Sequence, residues 1–246
     1  MMVYQTPASI TGTYMTTCGG CGHGLVTKLV AELIDELELR ESMIMVLPIG
    51  CATNAWEYYR VDAFCALHGR APAVATGIKR TRPDNIVVSY QGDGDLVSEG
   101  LSEIMHAAIR GEKITVIFMN NAIFGMTGGQ MAPTTLLRQV TTTSPHGKSE
   151  VSDGYPVKMA ELLAGLPGCY YSERVALHSV ANIRQAKRAI RRALQYQMEG
   201  RGLSFVEVLS PCPTGWRVTP VQALEWIGSS MVETYPLGVY KEPEVT

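Results

Sequence analysis

Two short polar clusters combine residue types that suit a metal-bound phosphate. Gly92-Asp93-Gly94-Asp95 follows the apolar run NIVVSYQ, and Asn120-Asn121 follows the next such run, KITVIFM. Glycine lets the backbone approach a phosphate, a helix start favours an anion, and carboxylate and amide oxygens are ligands that suit Mg²⁺. A single Asp-Gly turn would be ordinary. Two polar clusters that each end a strand instead indicate a magnesium-bound pyrophosphate, with Asp93 and Asn121 as oxygen ligands.

The cysteines are a second set of residues with possible chemistry. Cys18 and Cys21 form a CxxC pair in CGGCGHG, whereas Cys51 follows an apolar run and Cys212 lies between two prolines. The pair alone fits half of a zinc site, a redox dithiol or a chance spacing, and the sequence lacks the second CxxC or HxxxH pair typical of zinc. Two ligands from one turn and two from distant loops can also hold a [4Fe–4S] cluster. Cysteine spacing by itself leaves these alternatives open.

Short apolar runs alternate with longer helical patterns along the chain. Runs that are apolar on both faces, as in buried parallel strands, are found at 43–50, 85–92, 113–120 and 203–210. Helical periodicity covers 25–39 and 179–198, with Ser179 as the predicted N-cap and Gly200 as the predicted stop of the second helix. Residues 125–154 lack periodicity, which predicts a long functional loop. The alternation predicts an α/β fold with a doubly wound, mostly parallel sheet, which binds ligands at the carboxyl ends of its strands.

Length and composition set further bounds. The chain has 246 residues, 46% of them hydrophobic and 18% charged, and its formal charge is -2. We expect a single domain over 1–246, with an N-terminal CxxC segment at about 15–55 and a C-terminal extension at about 211–246. The near-zero charge offers no field for nucleic acid, and no apolar run reaches the ~20 residues that cross a membrane. The N-terminus has no signal-peptide pattern, so we expect a cytoplasmic protein.

Three segments give the chain a family resemblance. YQGDGD (90–95), HGRAPAVATGIKR (68–80) and NNAIFGMTGGQMAPTT (120–135) closely resemble the β subunit of the 2-oxoacid:ferredoxin oxidoreductases. The resemblance extends from about Cys18 to Trp216 and implies a thiamine-diphosphate-binding domain. It implies that Mg²⁺ is bound by the side chains of Asp93 and Asn121 and by the carbonyl group of Ile123. The residues that it places at the cofactor are Gly50, Cys51, His68, Gly92, Asp93, Gly94, Asp95, Asn121, Ile123, Gly125, Met126 and Thr127.

The same resemblance assigns a use to four of the cysteines. CxGCGHG, IGC and PCP match the places where those β subunits hold their cluster, which implies a [4Fe–4S] cluster on Cys18, Cys21, Cys51 and Cys212. Cys65 and Cys169 have no counterpart role, and we expect both to be buried thiols. The residues after Cys51 are Ala-Thr-Asn, where a serine often follows in relatives. That departure concerns contacts around the cluster and not its ligands.

The resemblance also implies an activity and partners. The expected reaction is the coenzyme A-dependent oxidative decarboxylation of a 2-oxoacid, with electrons passing through the cluster to ferredoxin. Some relatives carry a lysine where Gly128 stands here, so a branched-chain substrate such as 2-oxoisovalerate is favoured and 2-oxoglutarate is next. An α subunit should supply the carboxylate that activates the cofactor, with γ and ferredoxin-like δ subunits completing the complex. The alternatives are a thiamine diphosphate decarboxylase or ligase without redox chemistry, and a non-catalytic zinc-binding module.

Overall fold

The computed structural model describes residues 5–243, which are organised around one sheet of seven strands. The strands of the chain are β1 (Met43–Leu47), β2 (Asp62–Cys65), β3 (Ile86–Gly92), β4 (Thr115–Asn120), β5 (Ile123–Phe124), β6 (Gln130–Met131), β7 (Cys169–Ala176), β8 (Leu203–Leu209) and β9 (Gly238–Lys241). The order across the sheet is β2-β1-β3-β4-β8-β7-β9, and all neighbours are parallel except β7 and β9. The strands β5 and β6 pair separately as a short antiparallel hairpin. The predicted α/β fold with a mostly parallel sheet is confirmed.

Helices cover both faces of the sheet, which explains why the central strands are apolar on both sides. The helices are α1 (Gly22–Glu36), α2 (Ala71–Thr81), α3 (Leu101–Ile109), α4 (Glu150–Asp153), α5 (Met159–Ala164), α6 (Val180–Met198), α7 (Pro213–Trp216), α8 (Pro220–Trp226) and α9 (Val232–Thr234). On one face α1 and α6 pack against Ile117 and Met119 of β4, whereas α2, α3 and α5 pack against Val116 and Phe118 on the other. Within residues 5–243, no helix is both long and apolar enough to cross a membrane.

The local signals for the longest helix were accurate. Ser179 accepts a hydrogen bond from the backbone N–H of Asn182 at the start of α6, and Gly200 follows its end with a positive φ of 70°. The helix predicted at 25–39 instead spans Gly22–Glu36, because it begins directly after Cys21. Residues 125–154 contain β6 and α4 in addition to irregular backbone.

The sequence analysis predicted β1, β3, β4 and β8 but missed β2, β7 and β9 of the main sheet and the short hairpin β5-β6, and one prediction about a cysteine was wrong. The strand β7 contains the polar residues Ser172, Glu173 and Arg174, so it lacks the apolar pattern that predicts a buried strand, although these residues are buried. The strand β2 lies at the edge of the sheet, and all four of its residues are exposed. Cys65 ends this edge strand and is exposed, so it is not the buried thiol that we expected, whereas Cys169 is buried. Only the sheet order reveals that β2 has no neighbour on its outer side.

A buried ion pair joins the neighbouring strands β7 and β8. The side chains of Arg174 on β7 and Glu207 on β8 are both fully buried and lie 3.0 Å apart, and Arg174 also donates to Glu161 at 2.9 Å. Replacing Arg174 by leucine should therefore destabilise the chain by about 3–5 kcal/mol, because Glu207 would remain as an uncompensated buried charge. Urea unfolding followed by circular dichroism measures this loss.

A matched control for this stability prediction lies on the surface of α6. Arg188 is exposed and bonds only to Gln185 on its own helix, so Arg188→Leu should change the free energy of unfolding by less than about 0.5 kcal/mol. Equal unfolding free energies for the two leucine variants would contradict the role given to Arg174.

Candidate functional site

A cleft of about 540 Å³ opens where β1, β3 and β4 end. Neighbouring parallel strands bring the turns that follow them to one edge of the sheet, where such folds bind ligands. The cleft brings together all the residues that the sequence placed at a cofactor, namely Gly50, Cys51, His68, Gly92, Asp93, Gly94, Asp95, Asn121, Ile123, Gly125, Met126 and Thr127. Segments that are distant in the sequence therefore meet at one site.

Asp93 is buried and held by the turn that follows β4. Its Oδ1 accepts from the backbone N–H of Asn121 at 3.0 Å, and its Oδ2 accepts from the backbone N–H of Ala122 at 2.8 Å and from the hydroxyl of Thr134. Burial raises the pKa of Asp93 to about 7, although these hydrogen bonds act in the opposite direction. A cation beside this carboxylate would stabilise its charged form.

Three polar atoms converge here, namely Oδ1 of Asp93, the inward-facing amide atom of Asn121 and the carbonyl oxygen of Ile123. The terminal amide atom of Asn121 that faces inward lies 3.1 Å from Asp93 Oδ1 and 2.8 Å from the carbonyl oxygen of Ile123. If this atom is the nitrogen, it donates two hydrogen bonds, and if it is the oxygen, three acceptors meet without a hydrogen atom between them. Mg²⁺ holds octahedral ligands at about 2.0–2.1 Å, which sets neighbouring oxygens about 3 Å apart. The three atoms thus have the chemistry and spacing that suit Mg²⁺.

Asn120, the first of the paired asparagines, supports the turn between β4 and β5. Its Oδ1 accepts from the backbone N–H of Ala122 at 3.1 Å, and its Nδ2 donates to Glu207 Oε1 at 2.7 Å. Ala122 adopts a left-handed conformation with φ of 59°, which is uncommon for a residue other than glycine. Because Asn121 and Ile123 flank Ala122, the bonds made by Asn120 help to orient both of their oxygens. Sequence reasoning assigned no role to this residue.

Two of the predicted cluster ligands lie beside the same loop. A Cβ atom added to Gly125 would lie 3.3 Å from Cys212 Sγ, 3.6 Å from Asn121 Nδ2 and 3.8 Å from Cys51 Sγ. Gly125 therefore lies between the side chain of Asn121 and the thiols of Cys51 and Cys212. An added Cβ would make ordinary contacts with Asn121 and Cys51 and a slightly tight one with Cys212, so all three side chains lie around this glycine.

The CxxC turn meets Cys212 through the start of α1. Cys21 is the last residue before this helix, and the backbone N–H of Gly22 donates to the carbonyl of Pro211 at 3.1 Å. The contact is close, because a Cβ atom at Gly22 would lie 2.1 Å from Ser210 Oγ. Residues from the two ends of the chain are thereby held together at the thiols.

Three of the proposed cluster ligands, Cys21, Cys51 and Cys212, have thiols whose pKa values are raised. Burial raises the pKa of Cys21, raises that of Cys51 to about 11 and raises that of Cys212 to about 12, and the neighbouring thiols add to each increase. Cys18 is exposed. Thiols in this state become thiolates when a metal binds. Within residues 5–243, no three His, Cys, Asp or Glu side chains are grouped closely enough to hold a single metal ion.

His68 and Asp95 form one wall of the cleft. Asp95 Oδ1 accepts from the backbone N–H of Gly69 at 2.8 Å and lies 3.8 Å from Nδ1 of His68, while Gln91 donates to Oδ2. The ring of His68 stacks on Phe124 with centroids 6.5 Å apart. Asp95, whose role the sequence left open, thus holds the turn that carries His68.

Comparisons with known proteins show which family the chain belongs to. Residues 48–208 match the C-terminal thiamine-pyrophosphate-binding domain of thiamine pyrophosphate enzymes. The chain is 46% identical over 240 residues to the ketoisovalerate oxidoreductase subunit VorA of Methanothermobacter thermautotrophicus, which covers 98% of this chain and 50% of that protein. It is 36% identical over 198 residues to the 2-oxoglutarate synthase subunit KorB of Methanocaldococcus jannaschii, which covers 80% of this chain and 69% of that protein. The chain belongs to the thiamine-pyrophosphate-binding subunits of the 2-oxoacid oxidoreductases.

A solved structure shows the same fold for this thiamine-pyrophosphate-binding subunit. A chain of the 2-oxoglutarate:ferredoxin oxidoreductase from Magnetococcus marinus, with 2-oxoglutarate, coenzyme A and succinyl-CoA bound, matches with a TM-score of 0.78 and 24% identity. The match covers 100% of this chain and 87% of that chain. In contrast, this chain spans about half the length of the VorA proteins that it matches.

Several lining residues of this thiamine-pyrophosphate-binding subunit escaped the sequence analysis. They are His23, Pro48, Ile49, Ala52 and Phe124. His23 Nδ1 lies 2.7 Å from the hydroxyl of Tyr90, and burial lowers the pKa of His23 to about 4, so the ring is neutral near pH 7. A histidine next to the CxxC pair was a visible signal for this contact. The apolar lining residues carried no such signal, since they look like ordinary core.

Gly94 offers a sharp test of the cleft. A Cβ atom at this position would lie 2.1 to 2.8 Å from three ring atoms of Phe124, so the ring would have to move. We expect Gly94→Ala to weaken thiamine diphosphate binding at least about fivefold, because overpacking a tight site costs about 1–3 kcal/mol. Calorimetric titration of the cofactor in saturating Mg²⁺ measures the change.

The control for this variant is another glycine-to-alanine change. Gly77 lies within α2 and has no atom within 4 Å of an added Cβ, so Gly77→Ala should leave cofactor affinity unchanged. An unaltered affinity in Gly94→Ala would show that the ring of Phe124 does not shape the cofactor site.

Proposed function

We propose that this chain is the β subunit of a 2-oxoacid:ferredoxin oxidoreductase and binds thiamine diphosphate, Mg²⁺ and one [4Fe–4S] cluster. The complex would carry out the coenzyme A-dependent oxidative decarboxylation of a 2-oxoacid. The observation that carries this proposal is the approach of the Asn121 side chain and the thiols of Cys51 and Cys212 to the same glycine, Gly125. Such an arrangement brings a diphosphate-bound metal and an electron acceptor next to each other.

For the metal, we propose the side chains of Asp93 and Asn121 and the carbonyl of Ile123 as protein ligands. Their convergence within 2.8 to 3.1 Å of the Asn121 amide supports this assignment. The glycines beside them support a ligand that approaches the backbone. An added Cβ atom at Gly50 would meet nothing within 4 Å, and one at Gly92 would meet only the carbonyl oxygen of Met119 at 4.0 Å.

For the cluster, we propose Cys18, Cys21, Cys51 and Cys212 as ligands. The donor set is chemically suitable, since four thiolates from one turn and two loops are what a [4Fe–4S] cluster requires. Cys51 is influenced electrostatically by Cys18 and Cys21, and Cys212 by Cys21 and Cys51, so these thiols lie near one another, which supports the set. These ligands come from the segments 15–55 and 211–246, which we propose are parts of one domain.

Bound thiamine diphosphate would supply the carbanion chemistry that releases carbon dioxide from the 2-oxoacid. The residues of this chain would bind and orient it. Asp93 and Asn121 would hold the metal that binds the diphosphate. Asp95 holds the turn of His68 at the cleft, and the apolar groups of Ile49 and Phe124 would limit the water around the bound cofactor. The thiols next to Gly125 would place the cluster within reach for electron transfer.

The remaining components would come from partners. An α subunit would supply the carboxylate that activates the cofactor, and γ and ferredoxin-like δ subunits would complete a cytoplasmic complex that reduces ferredoxin. The 46% identity to a subunit of ketoisovalerate oxidoreductase supports this assembly.

For the substrate, we propose a branched-chain 2-oxoacid such as 2-oxoisovalerate, with 2-oxoglutarate as the next best candidate. The apolar side chains of Ile49, Ala52, Phe124 and Met126 line the cleft and suit an aliphatic group. A second carboxylate is usually recognised by a lysine or arginine, and neither is present among the described residues that line the cleft.

The chain co-expressed anaerobically with its partner subunits tests the proposal. We expect the complex to contain one thiamine diphosphate per β chain and four iron atoms per β chain in addition to those of the ferredoxin-like δ subunit. Ferredoxin reduction should depend on coenzyme A, and 2-oxoisovalerate should be preferred over 2-oxoglutarate. The purified chain alone should be inactive. Thiamine without iron would indicate a non-redox decarboxylase or ligase, and zinc without iron or thiamine would indicate a non-catalytic module. A strong preference for 2-oxoglutarate would refute the substrate assignment alone.

A further inference from the structure

A single helical turn lies between the two groups of candidate ligands. The helix α7 begins directly after Cys212, and the backbone N–H of Trp216 donates to the carbonyl of Cys212 at 2.9 Å. A Cβ atom added to Gly215 would lie 2.8 Å from Cys212 Sγ on one side and 2.4 Å from Cδ1 of Ile123 on the other. The turn is therefore packed tightly against both the thiol and the loop of the metal ligands.

Trp216 joins this turn to the metal loop by a specific bond. Its indole N–H donates to the backbone carbonyl of Asn121 at 2.9 Å, the residue whose side chain faces Asp93. The Trp216 ring also packs edge-on against Trp226 from α8, with centroids 4.4 Å apart. One face of the indole is thus fixed by Trp226, while its N–H fixes the loop. Neither tryptophan lines the cleft.

We propose that Trp216 is a positioning residue that couples cluster binding at Cys212 to the binding of magnesium thiamine diphosphate at Asn121. A cluster on Cys212 fixes the start of α7, the turn fixes the indole one turn later, and the indole N–H holds the Asn121 carbonyl. The loop is then ordered before the cofactor arrives, so the cofactor binds more tightly. This inference rests on the proposed function, since it requires both sites to be occupied in the active complex.

Such a coupling must act in both directions. If the cluster strengthens cofactor binding by some factor, the cofactor must strengthen retention of the cluster by the same factor. One hydrogen bond contributes enough to change an equilibrium constant about three- to tenfold. The expected coupling is of that size, and it should disappear when the indole N–H is removed.

The test compares the intact multi-subunit complex with and without its cluster, which is removed by anaerobic chelation of iron. Thiamine diphosphate is titrated in saturating Mg²⁺ by calorimetry. In the unaltered protein, loss of the cluster should weaken cofactor binding about three- to tenfold. Trp216→Phe, which keeps an aromatic ring against Trp226 but lacks the N–H, should bind the cofactor with the same affinity in both states. Before chelation, its iron content should equal that of the unaltered complex.

Trp226→Phe is the matched control, because it removes an indole without touching the bond to Asn121. This variant should retain the full cluster dependence of cofactor affinity. A Trp216→Phe complex that keeps the same cluster dependence as the unaltered protein would overturn the inference, even if both affinities are lower. A complex that holds no iron or no thiamine would instead refute the proposed function, so the two failures are distinguishable.

Discussion

The Asp93→Asn variant should bind thiamine diphosphate in the presence of Mg²⁺ with an affinity more than about a hundredfold lower than that of the unaltered protein. Loss of a residue that merely supports a metal ligand usually costs about 10–100-fold in affinity, and we propose Asp93 as a ligand itself. The replacement keeps the shape of the side chain but removes its charge, and its new NH₂ group would face the backbone N–H of either Asn121 or Ala122. Calorimetric titration of the intact complex with cofactor at several Mg²⁺ concentrations measures the effect.

Loss of binding must be separated from loss of structure. The unfolding free energy of Asp93→Asn without cofactor should fall by no more than about 2 kcal/mol, because burial already disfavours the charged form of this side chain. Asp84→Asn is a suitable control, since Asp84 is exposed in the turn before β3 and its change removes the same charge. If Asp93→Asn binds the cofactor as tightly as Asp84→Asn does, the proposed metal site is wrong.

Alanine at any of the four proposed cluster ligands should remove the cluster. Variants of Cys51 and Cys212 should retain less than about one iron atom per chain in place of four, because a [4Fe–4S] cluster is held by four thiolates. Ferredoxin reduction by the reconstituted complex should then fall to background. Iron and sulfide analysis with visible absorbance, all under anaerobic conditions, gives the result without relying on activity.

The two remaining cysteines serve as controls of different burial. Cys65→Ala changes an exposed residue at the sheet edge, and Cys169→Ala changes a buried one that is far from the cleft lining. Both variants should keep their full iron content and visible absorbance. Iron loss in Cys65→Ala comparable to that in Cys212→Ala would mean that the ligand set has been assigned incorrectly.

Much of the scaffold followed from local pattern. The runs at 43–50, 85–92, 113–120 and 203–210 contain β1, β3, β4 and β8, because a strand covered by helices on both faces must be apolar on both faces. The strand β7 escaped this rule, since its buried Arg174 and Glu173 are stabilised by partners distant in sequence. Local pattern does not record such partners.

The candidate site likewise contains features that the sequence predicted and contacts that it did not. The glycine-rich turn and the paired asparagines were visible as motifs, because each directly follows a strand and parallel strands end at one edge of the sheet. The bond from Asn120 to Glu207 and the bond from Trp216 to Asn121 were not visible, since each joins residues more than 80 positions apart.

The sequence by itself determined the fold class, the family and which residue types are available for a metal, a diphosphate and a cluster. Those properties depend on hydrophobic periodicity and short motifs, which act over a few residues. Only the tertiary structure decided that Cys51 and Cys212 meet the Asn121 side chain at Gly125, that Cys65 lies at an exposed edge, and that α7 packs between Cys212 and Ile123. These contacts depend on the order of strands in the sheet, which brings distant segments together and is not encoded in any one of them.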